Sequence, residues 1–112
     1  MEHINRIELQ GHIGTVRTKE YNGSKVANFS LATELVYKSK DGTMINETTW
    51  HNVVMWESKD TPKAEDITVG LPVNVSGRIR SSRYTNAEGK EKTFYEIMAN
   101  KVRVVREEGY TH

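Results

Sequence analysis

The sequence predicts an all-β protein in which five or six strands close into one small barrel. Three observations predict it. Apolar residues alternate with polar ones at a period of two, the signature of strands with one face buried. Glycine-containing turn signals break these runs, as in Asn22-Gly23 and Asp41-Gly42. Only one stretch, between Ser58 and Thr68, loses the pattern, and it has room for at most a short helix. A chain of 112 residues, with 36% hydrophobic and 28% charged residues, suits one soluble domain around one core.

The elements follow in order. Ile7, Leu9 and Ile13 alternate with polar neighbours, while Gly11 and Gly14 interrupt the run as at a bulge. Tyr21-Asn22-Gly23-Ser24 reads as a hairpin turn, because asparagine and glycine both tolerate positive φ. From Val26 to Tyr37, Ala27, Phe29, Leu31, Thr33 and Leu35 share one side. Lys38 to Gly42 turns the chain into a third strand, Thr48 to Glu57. After the connector, which holds Pro62, the stretch Ile67 to Val73 leads back into the sheet. The next run places Val73, Val75 and Ile79 on its odd face, with Gly77 between them. Asn86-Ala87-Glu88-Gly89 is a second hairpin turn, and Lys92 to Val105 returns.

Two strands carry the wrong residues on their outer side. In the third, His51, Val53 and Met55 can fill a core, which leaves Trp50 and Trp56 together on the opposite face. Two exposed indoles fit a flat partner, a second hydrophobic layer or a subunit interface. In the strand after the connector, the even face carries Asn74, Ser76, Arg78, Arg80, Ser82 and Tyr84. Rings beside guanidiniums are what holding a single-stranded nucleic acid requires. Every base has a π-face to stack, and cations neutralise the phosphates. Net charge is only +1, yet Arg78 to Lys92 holds an excess of three positive charges. That distribution fits local phosphate contact better than a polycation.

Other chemistries are poorly served. Without cysteine there is no disulfide scaffold, thiol catalysis or cysteine-ligated zinc. The four histidines, His3, His12, His51 and His112, show no metal-ligand spacing, so no metal is expected. His51 points with Val53 and Met55 and reads as structural. No phosphate-cradling Gly-x-x-x-x-Gly-Lys-[Ser/Thr] loop, dinucleotide fingerprint or acid/base carboxylate pair occurs. The expectation is a binding protein with no catalytic residues and no cofactor. No signal peptide or transmembrane run is present, which places the expected protein in the cytoplasm, at the nucleoid.

Four motifs in order resemble bacterial single-stranded DNA-binding proteins. They are Asn5 to Gly14, Val26 to Thr33, Trp50-His51-Asn52-Val53-Val54, and Gly77 to Thr85. Together they span about Asn5 to Val105, nearly the whole chain. The resemblance implies a five-stranded OB-fold Greek-key barrel with extended hairpins over residues 1–106, followed by a short tail, 107–112. It implies sequence-independent protection of single-stranded DNA in replication, recombination and repair. Family members stack bases at four aromatic positions, which fall here on Tyr37, Trp50, Trp56 and Tyr84. Arg80 and Arg83 match basic positions; Arg78 shares the even face of Arg80, and Lys90 and Lys92 lie across the hairpin. Homotetramers built through the first strand, around Ile7 to Ile13, are implied, with a dimer as the alternative.

The chain departs from the family in two places. The Ser58 to Asp66 loop stands where members often carry a longer amphipathic helix. After Val105 the sequence Arg106-Glu107-Glu108-Gly109-Tyr110-Thr111-His112 lacks the acidic, apolar-ended tip that recruits repair enzymes in typical members. A naturally short form, as from a phage or mobile element, and a truncated chain both fit. Two other functions stay open: a replication accessory of the primosomal replication protein B type, which usually lacks the full aromatic set, and a module whose aromatic face binds protein.

Overall fold

The computed structural model describes residues 1–106, so the tail expected over 107–112 lies outside the described residues. Five strands, β1 (Ile7–Tyr21), β2 (Ser24–Lys38), β3 (Met44–Trp56), β4 (Pro72–Thr85) and β5 (Glu91–Val104), close into a barrel ordered β1-β2-β3-β5-β4. Neighbours are antiparallel except β3 and β5, which run parallel where Val53–Met55 meets Ile97–Ala99. This is the OB-type barrel expected from the motifs.

Alternation builds the core. Ile13, Leu31, Val53, Met55, Val73 and Val75 are almost completely buried at its centre. The same faces become exposed once the strands run past the barrel. Leu35 on β2 is solvent-accessible because the β2–β3 ribbon extends beyond the closed part, and Ile79 on β4 because β1 pairs with β4 only as far as Gly77. Extended hairpins therefore continue the core pattern after the core has ended.

Turn chemistry sets the registers. Asn22 and Gly23 both have positive φ, 49° and 85°, which gives a two-residue loop whose twist matches the flanking strands. At the β2–β3 tip the Asp41 carboxylate accepts from the Ser39 hydroxyl and, at 3.0 Å, from the Thr43 amide. These bonds lower its pKa to about 2 from an ordinary 3.8. At the β4–β5 tip the Asn86 side-chain oxygen accepts from the amides of Glu88 and Lys90.

The connector contributes to packing. Its only helical turn is a 3-10 segment, Ala64–Asp66, whose Ala64 amide donates to the Glu57 carboxylate at 2.8 Å. Ala64 and Ile67 are buried in the same cluster as the strand residues. A segment polar in sequence thus contributes two apolar side chains to the core.

A bulge in β1 matters most for the surface. Ile13 pairs with Leu31, but Val16 pairs with Phe29, so one extra residue enters between them. The inward parity of β1 changes there from odd to even. Beyond the bulge Arg17, Lys19 and Tyr21 point outward.

Candidate nucleic-acid interface

Directly paired residues on antiparallel strands share a face, so the ladders identify the surface around the tryptophans. On β3 it comprises Trp50, Asn52, Val54 and Trp56, paired with Ala32, Ser30, Asn28 and Val26 of β2. On β1 the bulge adds Arg17, paired with Asn28, and Lys19, paired with Val26. Trp50 is 60% exposed and Trp56 43%, while Val53 and Met55 between them are buried. Six residues of strand separate the two indoles by roughly 20 Å.

Each tryptophan has a built seat. A Cβ on Gly14 would lie 2.4 Å from the edge of the Trp50 ring and 2.8 Å from Ser30 Oγ, so only glycine leaves the indole its space. Ser30 is itself fixed, since Oγ accepts the Thr15 amide at 2.9 Å. Trp56 meets Tyr21 with ring centroids 5.9 Å apart and planes tilted by 45°. Mutual ring contact restrains both without hiding them.

The β4–β5 arm supplies the second part. Arg78, Arg80, Ser82 and Tyr84 pair with Met98, Glu96, Phe94 and Lys92 and share their face. Tyr84 and Phe94 meet edge to face, centroids 5.8 Å apart. Phe94 and Glu96 also line a groove with Asn28, Ser30 and Asn52, which joins the arm to the tryptophan face. The surface therefore presents Trp50, Trp56 with Tyr21, and Tyr84 with Phe94, interleaved with Arg17, Lys19, Arg78 and Lys92.

Not every residue singled out in the sequence sits there. Arg80 does, but its guanidinium is ion-paired to Glu96, with Nε 3.1 Å from Oε1. Arg83 pairs with Thr93 on the other side of the arm and lies 3.7 Å from the Glu91 carboxylate. Lys90 is at the arm's tip, in the turn closed by Asn86. Tyr37 pairs with Ile45 and shares the ribbon side of Leu35, opposite the tryptophans. His51 points inward and bonds Thr33 Oγ1 at 2.9 Å, as a structural residue would. Sequence reasoning missed Tyr21, Phe94, Arg17 and Lys19. The signal available for three of them was Gly14: a bulge placed there reverses the parity of everything up to the Asn22-Gly23 turn.

Among the described residues no cluster of His, Asp or Glu could hold a metal ion, and no helix is long and apolar enough to cross a membrane.

Fold and surface together define an OB-type barrel with an aromatic and basic outer face. The sequence pattern of the single-strand binding protein family matches residues 4–105, and the chain belongs to that family. It is 32% identical over 104 residues to the single-stranded DNA-binding proteins of two Neisseria meningitidis strains, serogroups A and B. That match covers 91% of this chain and 60% of each relative, so the chain spans about three fifths of their length. The Xanthomonas axonopodis protein of the same name is also 32% identical, with 58% of its length covered. Among solved structures, a Plasmodium falciparum SSB in complex with ssDNA superposes with a TM-score of 0.75 at 26% identity. The alignment covers 94% of this chain and 96% of that one. The Thermus aquaticus single-stranded DNA binding protein shares the fold, with a TM-score of 0.74 at 17% identity over 95% of this chain and 52% of the other.

Proposed function

We propose that residues 1–106 form one domain that binds single-stranded DNA without marked sequence preference, protecting it during replication, recombination and repair. The observation that carries this reading is the alignment of exposed, individually seated rings along one surface. Trp50, Trp56 and Tyr84 stack on bases, with Tyr21 and Phe94 beside them, and each stacked base contributes roughly 1–3 kcal/mol. Arg17, Lys19, Arg78 and Lys92 neutralise phosphates. Arg80 contributes less net charge because Glu96 compensates it. Strands that wrap the arm's tip meet Lys90 and Arg83, and those that pass around the β2–β3 ribbon meet Tyr37. The role is binding, not catalysis, and the site of action is the cytoplasm.

Assembly follows from β1. Between Ile7 and Gly11 it is paired with β4 but not with β2, so one backbone edge is open among the described residues. An open edge is a template for antiparallel pairing with a second copy. This supports a homotetramer built through first strands, with a dimer as the smaller unit.

The test is titration with oligo-dT at two salt concentrations, followed by tryptophan fluorescence. Strong quenching, with affinity that falls as salt rises, is expected. No quenching at low salt would overturn the proposal.

A further inference from the structure

Where the arm leaves the barrel, β5 is bonded to β3 only from Ile97 to Ala99. Ahead of that contact opens a groove of about 370 Å³. Its polar lining includes Asn28 and Ser30 from β2, Asn52 from β3 and Glu96 from β5, beside the Phe94 ring. Glu96 is the odd member. A carboxylate on a phosphate-binding surface repels the backbone it should attract, and this one is held in place, its side chain only 13% exposed. Arg80 Nε and Nη2 both donate to Oε1. Oε2 has no hydrogen-bond partner among the described residues and keeps its acceptor capacity.

An ionised carboxylate can only accept hydrogen bonds. Phosphates offer it nothing, and thymine's one edge donor, N3–H, lies between two carbonyl oxygens that repel a carboxylate, whereas cytosine and adenine carry an exocyclic amine beside a ring-nitrogen acceptor. The side-chain amides of Asn28 and Asn52 can donate to that acceptor. We propose that this groove is a base-reading subsite in which Glu96 Oε2 accepts from an exocyclic base amine. One position in an otherwise sequence-tolerant track then prefers an amine-bearing base to thymine. The inference rests on the single-stranded DNA reading and specifies which edge of one nucleotide faces inward. Arg80 is a positioning residue here, since it fixes the carboxylate instead of meeting phosphate.

The test uses the shortest oligo-dT that saturates the protein, with a single 5-methyldeoxycytidine walked through its positions. That base keeps thymine's methyl group and stacking area, exchanges the O4 carbonyl for an amine, and turns the N3–H donor into a ring-nitrogen acceptor. The ratio of its affinity to that of all-thymine DNA is read within each protein. The wild type should show one or two adjacent positions that tighten about fivefold, and Glu96→Gln should flatten the profile. A flat wild-type profile, or one that persists in Glu96→Gln, overturns the subsite. If Glu96→Gln does not fold, the wild-type profile still decides, and Asn52→Ala should blunt it. Failure of all-thymine DNA to bind at low salt would overturn the DNA reading itself, whereas tight all-thymine binding with a flat profile removes only the subsite.

Discussion

Gly14→Ala tests whether Trp50 works through its position. The added Cβ would lie 2.4 Å from the indole edge and 2.8 Å from Ser30 Oγ. Ser30 is tied to Thr15 by two hydrogen bonds, so the ring is the part that gives. Carbon atoms pack at about 3.5–4.0 Å, which makes the indole retreat by about 1 Å. The platform shifts although no aromatic atom is removed. Complete loss of one stacked base costs roughly 1–3 kcal/mol, a factor of about 5 to 150; a displaced ring should fall toward the lower end. Stability should fall by roughly 1–3 kcal/mol, because retreat of the ring leaves the 2.8 Å contact with Ser30 Oγ unrelieved and crowding of this kind costs about that much. Oligo-dT affinity and thermal melts would be measured for Gly14→Ala, Trp50→Ala and the pair. If the glycine acts through the indole, Gly14→Ala adds nothing in the Trp50→Ala background. An equal loss in both backgrounds would refute the reasoning.

Other expectations are more local. Arg17→Ala should weaken binding to all sequences alike and lower the salt slope by about 1; an unchanged slope would remove Arg17 from the interface. Leu31→Ala should cost about 2–5 kcal/mol by denaturant unfolding, since it empties a site in the core. Leu35→Ala, four residues along the same face but beyond the barrel, should cost less than about 0.5 kcal/mol. Equal losses would contradict the division between barrel and ribbon. The Asp41 carboxyl has a lowered folded pKa, so its contribution to the β2–β3 tip is complete above 3.8 and disappears as pH falls through about 2. An NMR titration of the Thr43 amide should follow that transition, and a midpoint near 3.8 would deny the turn bonds their role.

Much of this was legible because strands have a strict period. The shared face of Trp50 and Trp56, the burial of Val53 and Met55, and the positive-φ turn at Asn22-Gly23 all follow from short-range rules. Features set by non-local geometry were hidden. One extra residue after Ile13 reverses β1, so Arg17, Lys19 and Tyr21 join the tryptophans instead of opposing them. Strand pairing gives Arg80 a carboxylate partner sixteen residues away, and a free-looking cation becomes half of an ion pair. Ala64 looked like part of a polar loop and Ile67 like the opening of the returning strand, because isolated apolar residues in a connector have no periodicity to show that they enter the core.

The central claim is that bases, and not only phosphates, meet the aromatic face. The most direct measurement compares tryptophan quenching by oligo-dT with quenching by an abasic deoxyribose-phosphate strand of equal length and charge, at low salt. Strong quenching and tight binding by oligo-dT, with weak binding and little quenching by the abasic strand, are predicted. Equal affinity for both would mean that charge alone holds the strand, and would contradict the role given to Trp50 and Trp56.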